Sequence, residues 1–191
     1  MTCLNIASLP KHIDELCVLL DNQWCDIIAI NETRLDEIID DDEVKINGYN
    51  IIRIDRQING RNGGGVCIYV RTNINYTRRN YLESQSLEYL SLEIKKPRSK
   101  PFVVTTFYRP PNAQIELFTH LEALIGKIFE NIFDRRIAMS KIHRFLDRYA
   151  KTWLFCLVGK LNSFLSSRPP GTTEISENSH VQWQVSQKLF H

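Results

Sequence analysis

The chain has 191 residues and a mass of 22.3 kDa, enough for one domain with a buried core. Hydrophobic residues make up 43% and charged residues 24%, which excludes a disordered chain and a membrane bundle. The longest apolar stretch, residues 153–158, is far shorter than the roughly 20 residues of a membrane-spanning helix. The first residues, Met-Thr-Cys-Leu-Asn, lack the features of a secretory signal, so we expect an intracellular protein without membrane contact.

The formal net charge of +2 conceals an uneven distribution along the chain. Residues 1–60 contain 12 Asp or Glu and 5 Lys or Arg, whereas residues 61–191 contain 10 and 19. One interpretation is a metal-binding centre beside a surface that binds a polyanion. The other is that the charges are spread over solvated faces, and the charge count alone does not separate the two.

Five cysteines are present, at positions 3, 17, 25, 67 and 156. Their number is odd and no Cys-x-x-Cys pair occurs, so neither a disulfide framework nor a zinc site is indicated. Three of them lie within apolar patterns, where a free cysteine packs as a small hydrophobic side chain.

The first third of the chain predicts a strand, a helix and a second strand. Residues 4–6 form a short apolar start, and Pro10 is suited to the first turn of a helix. Apolar side chains then recur at helical spacing between residues 13 and 20. The apolar run at 25–30 predicts a strand covered on both faces, and it ends in the polar residues 31–33.

The middle of the chain is rich in predicted strands. They lie at residues 49–54, 66–70, 88–94 and 102–107, with an acidic loop at 36–43, a glycine-rich turn at 57–65 and a basic turn at 95–101. An amphipathic helix follows at 115–128. Consecutive strands between flanking helices predict an α/β layered sandwich with mixed β-sheets.

The last third changes in character. Residues 131–152 are a basic insertion with a helical period, and residues 153–158 predict one more strand. The segment 166–191 is rich in Ser, Pro and Thr, so we expect a weakly structured tail. We therefore expect one domain over residues 1–165, followed by that tail.

Three polar clusters follow apolar strands, at residues 31–33, 108–110 and 159–162, and Asn5 is a fourth candidate. Ligands in open α/β folds gather beyond strand ends, where loops bring polar groups together. A carboxylate such as Glu32 can bind Mg²⁺, which needs only one or two protein carboxylates. Taken singly, each of these residues is equally explained by helix capping, turn chemistry or half-buried packing.

The order of these motifs resembles the endonuclease/exonuclease/phosphatase superfamily, most closely the endonuclease domain of non-LTR (LINE-like) retrotransposon polyproteins. The resemblance extends over residues 1 to about 129 and lies in the stretches 4–9, 25–35, 48–49, 53–56, 63–70 and 107–111. The most distinctive of them read Asn-Glu-Thr-Arg-Leu at 31–35, Gly-Gly-Gly at 63–65 and Tyr-Arg-Pro-Pro at 108–111.

This resemblance implies an α/β sandwich that hydrolyses DNA phosphodiester bonds with Mg²⁺. It implies that Asn5 helps to position the metal and its water and that Glu32 is the metal ligand. It also implies that Tyr108 contacts the scissile phosphate or supports the transition state, and that Arg109 contacts the phosphate backbone. The glycines at 63–65 are expected to let the chain enter its strand without interference from side chains.

The sequence departs from the family pattern in its C-terminal part. The family motif Gly-Asp-x-Asn is Gly-Lys-Leu-Asn here, so Asn162 fits as the residue that steadies the phosphate but Lys160 replaces the catalytic Asp. A protonated Lys cannot accept a proton from water and repels Mg²⁺, although a Lys of lowered pKa is a conceivable base. The family's Ser-Asp-His motif is absent; the nearest group, residues 178–180, lacks the Asp. We therefore expect a fold that is incomplete at its C-terminal end.

The sequence is compatible with two functions. The first is a Mg²⁺-dependent DNA endonuclease domain of impaired activity, nuclear and associated with a reverse transcriptase in the full-length element. The second is a catalytically dead remnant that at most binds nucleic acid. The basic residues between Arg53 and Arg79 either lie along DNA or are ordinary solvated arginines.

Overall fold

The computed structural model of the chain describes residues 1–21, 25–56, 63–83, 88–99, 101–108, 154–160 and 182–184, together with helical residues at 119–120, 123–124 and 126–127. One long helix, α1, spans Leu9–Asp21. The strands are β1 Thr2–Asn5, β2 Ile27–Asn31, β3 Tyr49–Ile54, β4 Val66–Arg71, β5 Asn75–Arg78, β6 Tyr89–Lys95, β7 Phe102–Tyr108, β8 Leu154–Lys160 and β9 Gln182–Gln184. Two short 3₁₀ turns lie at Asp41–Val44 and Asn80–Leu82.

The strands form two sheets. The first has the order β1-β2-β4-β3, in which β1 and β2 are parallel and the other pairs are antiparallel. The second has the order β5-β6-β7-β8-β9 and is antiparallel throughout. The predicted α/β fold with a mixed sheet is confirmed.

The two sheets enclose the main hydrophobic core. The first sheet contributes alternate side chains such as Ile27 and Ala29, and the second contributes Leu90, Leu92 and Val104. Each such aliphatic side chain, once fully buried, stabilises the fold by roughly 1.5–3 kcal/mol. The alternation follows from the pleat of the strands, in which every second side chain faces the same way.

The opposite face of the first sheet packs against α1. Ile28 and Ile30 of β2 lie in one buried cluster with Leu16 and Leu20 of the helix. Because β2 is covered on both faces, its sequence is continuously apolar instead of alternating. The predicted helix and its predicted buried face are both confirmed.

The start of α1 is tied to the loop that follows β2. The Leu9 N–H donates to the carbonyl of Thr33 at 2.8 Å, which satisfies one of the free N–H groups at a helix start. Pro10, as expected, occupies the first turn. No helix in the described part of the chain is long and apolar enough to cross a membrane.

Two strands of the described residues were not predicted. The strand β5 is mostly exposed and carries little apolar pattern, since it lies at the edge of the second sheet and pairs there with β6. Residues 182–184 lie within the segment expected to be weakly structured, yet they form β9 beside β8. The basic insertion at 131–152 and the boundary at 165 lie outside the described residues.

Four of the cysteines, those in the first 83 residues, are free thiols. Cys3, Cys25 and Cys67 are buried and Cys17 is half-buried. Burial raises the pKa of the Cys67 thiol far above its usual range, so it stays protonated. These thiols contribute packing, as the sequence predicted.

Candidate active site at the carboxyl ends of β1 and β2

The parallel strands β1 and β2 end side by side, with Asn5 in register with Asn31. Glu32 follows directly, and its Oε1 accepts a hydrogen bond of 2.9 Å from Nδ2 of Asn5. The Oδ1 of Asn5 accepts from the N–H of Ala7 at 3.2 Å. The two predicted residues Asn5 and Glu32 are therefore in direct contact, and Ala7 fixes the orientation of the Asn5 amide.

The contact leaves one carboxylate oxygen of Glu32 available. Asn5 is buried, with 5% of its surface exposed, whereas Glu32 is half-buried. Within the described residues, no hydrogen bond reaches Oε2 of Glu32. A carboxylate that is oriented on one oxygen and open on the other is suited to binding a hard cation.

The backbone around this contact adopts unusual conformations. Ala7, Glu32 and Arg34 have φ values of 56°, 55° and 56°, in the left-handed region. For residues other than glycine this conformation costs roughly 1–2 kcal/mol each. Such conformations persist only where surrounding contacts hold them, and they concentrate at functional sites.

The glycine-rich segment before β4 supplies two of those contacts. The N–H of Thr33 donates to the Gly65 carbonyl at 3.2 Å, and the N–H of Arg34 donates to the Gly64 carbonyl at 2.9 Å. Gly64 and Gly65 have φ values of 109° and 79°, which favour glycine. A Cβ on Gly65 would also collide with the Thr33 hydroxyl.

Glu88, just before β6, closes the other side of this segment. Its Oε2 accepts a hydrogen bond of 2.5 Å from the N–H of Gly65, and its carbonyl accepts from the N–H of Tyr108 at 2.9 Å. The sequence predicts no role for Glu88, because a carboxylate before an apolar strand is usually an ordinary loop residue.

Tyr108 ends β7 and is buried, with 7% of its surface exposed. It belongs to the core between the two sheets, and its hydroxyl lies 2.7 Å from the point where a Cβ on Gly63 would be. Gly63 therefore permits a close approach between the glycine-rich segment and the tyrosine hydroxyl.

Asn31 connects the first sheet to the end of β7. Its Nδ2 donates to the Phe107 carbonyl at 2.5 Å, and its Oδ1 accepts from the Thr106 hydroxyl. These bonds bring the ends of β2 and β7, and with them Glu32 and Tyr108, to the same edge of the molecule. The sequence feature that indicates this linking role is a polar residue at the end of a buried apolar strand. A buried amide needs hydrogen-bond partners, and Asn31 finds them on the neighbouring sheet.

The third polar cluster lies elsewhere. β7 and β8 are antiparallel, so Tyr108 is opposite Leu154 and Lys160 is opposite Phe102. Six residues of strand separate Phe102 from Tyr108, roughly 20 Å. The end of β8 therefore lies at the opposite edge from Glu32. We expected the ends of β2, β7 and β8 to lie together, but the ends of β7 and β8 could do so only if these two strands were parallel. Arg109 and Asn162 lie outside the described residues.

The five arginines that the structure describes between positions 53 and 79 form ion pairs with carboxylates. Arg53 pairs with Asp41 and Asp55, Arg56 with Asp36, Arg71 with Asp26, Arg78 with Glu83 and Arg79 with Glu93. Because their charges are balanced locally, a structural role is favoured over a continuous DNA-binding stripe.

A second charged group lies at the edge opposite Glu32. Asp26 accepts a hydrogen bond from Lys96, and this bond, reinforced by the charges of Lys96 and Arg71, holds the pKa of Asp26 below its usual value of 3.8. It joins the start of β2 to the turn after β6. Asp26 is thus ionised at neutral pH and acts as a structural group.

In the described residues, no group of three or more His, Cys, Asp or Glu side chains is placed to hold a metal ion. A Mg²⁺ site built on one carboxylate does not need such a group, because water and substrate phosphate supply the other ligands.

No protein-family model and no curated protein sequence matches the chain. Among solved structures, the chain is similar to the endonuclease domain of TRAS1, a telomere-specific non-LTR retrotransposon. The TM-score is 0.49 and the sequence identity 15%, over 67% of this chain and 51% of that one. The chain thus spans about half the length of that structure.

Proposed function

We propose that this chain is a Mg²⁺-dependent DNA endonuclease domain of the retrotransposon type, with reduced activity. The observation that carries the proposal is the hydrogen bond between Asn5 and Glu32, where the parallel strands β1 and β2 end together. The sequence motifs at 31–35 and 108–111 support the same assignment. We further propose that the domain acts on nuclear DNA beside a reverse transcriptase.

The residues at the site fit Mg²⁺. Glu32 would hold the ion through the carboxylate oxygen that Asn5 does not bind, and Asn5 would keep that carboxylate in one orientation. When bound, the ion polarises a phosphoryl oxygen and lowers the pKa of a bound water. The Tyr108 hydroxyl, at the same edge, is the candidate for hydrogen bonding to the phosphate.

The reduced activity follows from two family motifs from which this sequence departs. The family's Gly-Asp-x-Asn and Ser-Asp-His motifs supply a carboxylate and a histidine that activate water. Here the first motif has Lys160 in place of the Asp, and the end of β8 lies at the opposite edge from Glu32. The second motif is absent from the sequence. Without an oriented base, general-base assistance is lost, which typically costs 10²–10⁴-fold in rate.

Nicking of supercoiled plasmid in Mg²⁺ tests the proposal. We expect slow, Mg²⁺-dependent nicking by the natural chain, a loss of at least about 100-fold in Glu32→Gln, and no change in Glu37→Gln. Glu37 is the matched control because it is an exposed glutamate in the same loop. Equal nicking by Glu32→Gln would overturn the proposal, as would the absence of nicking by the folded natural chain.

The second candidate is a catalytically dead remnant that binds nucleic acid. It is favoured specifically by the position of Lys160 and by the missing Ser-Asp-His motif. Its signature is DNA binding that weakens steeply with salt and yields no nicked product. The same plasmid assay, combined with a binding titration at two salt concentrations, separates the two candidates.

A further inference from the structure

We infer that Arg34 is a phosphate-binding residue of the candidate active site, an inference that rests on the proposed function. Arg34 lies two residues after Glu32, in the loop that begins where β2 ends. It belongs to the Asn-Glu-Thr-Arg-Leu motif but has no part in the Asn5–Glu32 contact.

The backbone at Arg34 is fixed in a costly conformation. Its φ of 56° is left-handed, and its N–H donates to the Gly64 carbonyl at 2.9 Å. Glycine or asparagine would take this conformation at lower cost.

The side chain of Arg34 is half-buried, and its Nε is fully buried with no hydrogen-bond partner among the described residues. Arg56 and Arg71 also bury their Nε atoms, but their guanidinium groups pair with Asp36 and Asp26. Among the described residues, Arg34 is the half-buried arginine that has no carboxylate partner.

A half-buried guanidinium without an anion is costly, because it loses hydration and gains no compensating bond. The two carboxylates nearest in sequence have other partners, since Glu32 is hydrogen-bonded to Asn5 and Asp36 is paired with Arg56. An anionic group of the substrate would supply the missing acceptor. The planar fork of arginine donors matches the oxygens of a phosphodiester, so we assign Arg34 to the DNA backbone next to the bond that is cut.

Binding without catalysis tests this inference. A fluorescein-labelled 20-base-pair duplex is titrated with protein in EDTA, and anisotropy gives the Kd at several salt concentrations. We expect Arg34→Gln to raise Kd roughly tenfold and to lower the salt slope by about one, with Arg34→Lys in between. The matched control is Arg98→Gln, because Arg98 has the same left-handed φ of 57° but lies in the exposed turn after β6.

An unchanged Kd for Arg34→Gln would overturn the inference, as would an equal effect of Arg98→Gln or no binding by the natural chain. If Arg34→Gln does not fold, the Arg34 Nε–H signal of the natural chain, assigned with Arg34→Lys, must shift when the duplex is added. Nicking lost in Glu32→Gln together with an unchanged Kd in Arg34→Gln would leave the proposed function standing and remove only the role of Arg34.

Discussion

The side-chain amide of Asn31 donates a hydrogen bond of 2.5 Å to the main-chain carbonyl of Phe107, across the interface between the two sheets. Its other end accepts from the Thr106 hydroxyl, and Asn31 is completely buried. Asn31 is followed in the chain by Glu32, and Phe107 is followed by Tyr108, and both of these are candidate site residues. The packing of one sheet on the other is thus linked to the geometry of the site.

Replacing Asn31 should therefore destabilise the fold. Asn31→Ala removes the buried hydrogen bonds to the Phe107 carbonyl and the Thr106 hydroxyl and leaves a cavity, and we expect the free energy of unfolding to fall by about 2–4 kcal/mol. Urea unfolding followed by circular dichroism measures this change. The control Asn75→Ala, on an exposed edge strand, should change it by less than about 0.5 kcal/mol. A loss below about 1 kcal/mol for Asn31→Ala would argue against the bridge.

Two glycines with nearly equal φ values allow the cost of backbone strain to be distinguished from the cost of a steric clash. Gly65 and Gly48 have φ values of 79° and 81°, but a Cβ would strike Thr33 at the first and nothing within 4 Å at the second. We expect Gly48→Ala to cost about 1 kcal/mol from backbone strain and Gly65→Ala about 2–4 kcal/mol. Thermal unfolding of both variants measures the difference. Equal costs would show that the contact between Gly65 and Thr33 is looser than the structure indicates.

The ion pair of Asp26 and Lys96 predicts a pH dependence of stability. Because the folded-state pKa of Asp26 lies below 3.8, the pair stabilises the fold above that pH, and this contribution is lost as the pH falls through the folded-state value. Lys96→Met should therefore reduce the fall in Tm between about pH 5 and about pH 2. Lys45→Met, which removes an exposed pair with Asp42, should leave the profile unchanged. Identical profiles for Lys96→Met and the natural chain would contradict this assignment.

The register of β8 makes a prediction about Lys160. If Lys160 lies opposite Phe102, an Asp there is too far from Glu32 to activate its water, and Lys160→Asp should not raise the nicking rate. The measurement is the plasmid assay under the conditions used for the natural chain. A gain of tenfold or more would show that residue 160 reaches the site, and would favour a parallel arrangement of β7 and β8.

Much of the fold was predictable because its central strands carry a strong hydrophobic signal. The continuous run before Asn31 and the strand after the glycine-rich turn are buried along almost their whole length, so their sequences had to be apolar. The edge strand β5 lacks that constraint, and nothing in its sequence distinguished it from a loop.

The candidate site was predictable only in part. Asn5 and Glu32 were identified from their places after two strands, and their contact follows from the parallel pairing of β1 and β2. The pairing of β7 with β8 is a long-range choice that local sequence does not encode, so the position of Lys160 was not foreseen. The hydrogen bond that Glu88 accepts from the Gly65 N–H could not be predicted either, because it joins a side chain to the backbone of a segment distant in sequence.

The most direct test of the central claim is whether a divalent cation binds at the Asn5–Glu32 pair. Mn²⁺, a paramagnetic substitute for Mg²⁺, is titrated into the ¹⁵N-labelled chain while the side-chain amide of Asn5 and the N–H of Ala7 are followed by NMR. We predict selective broadening of these two signals, its reversal by excess Mg²⁺, and its loss in Glu32→Gln. Broadening that is unchanged in Glu32→Gln, or that is absent at both groups in the natural chain, would contradict the account.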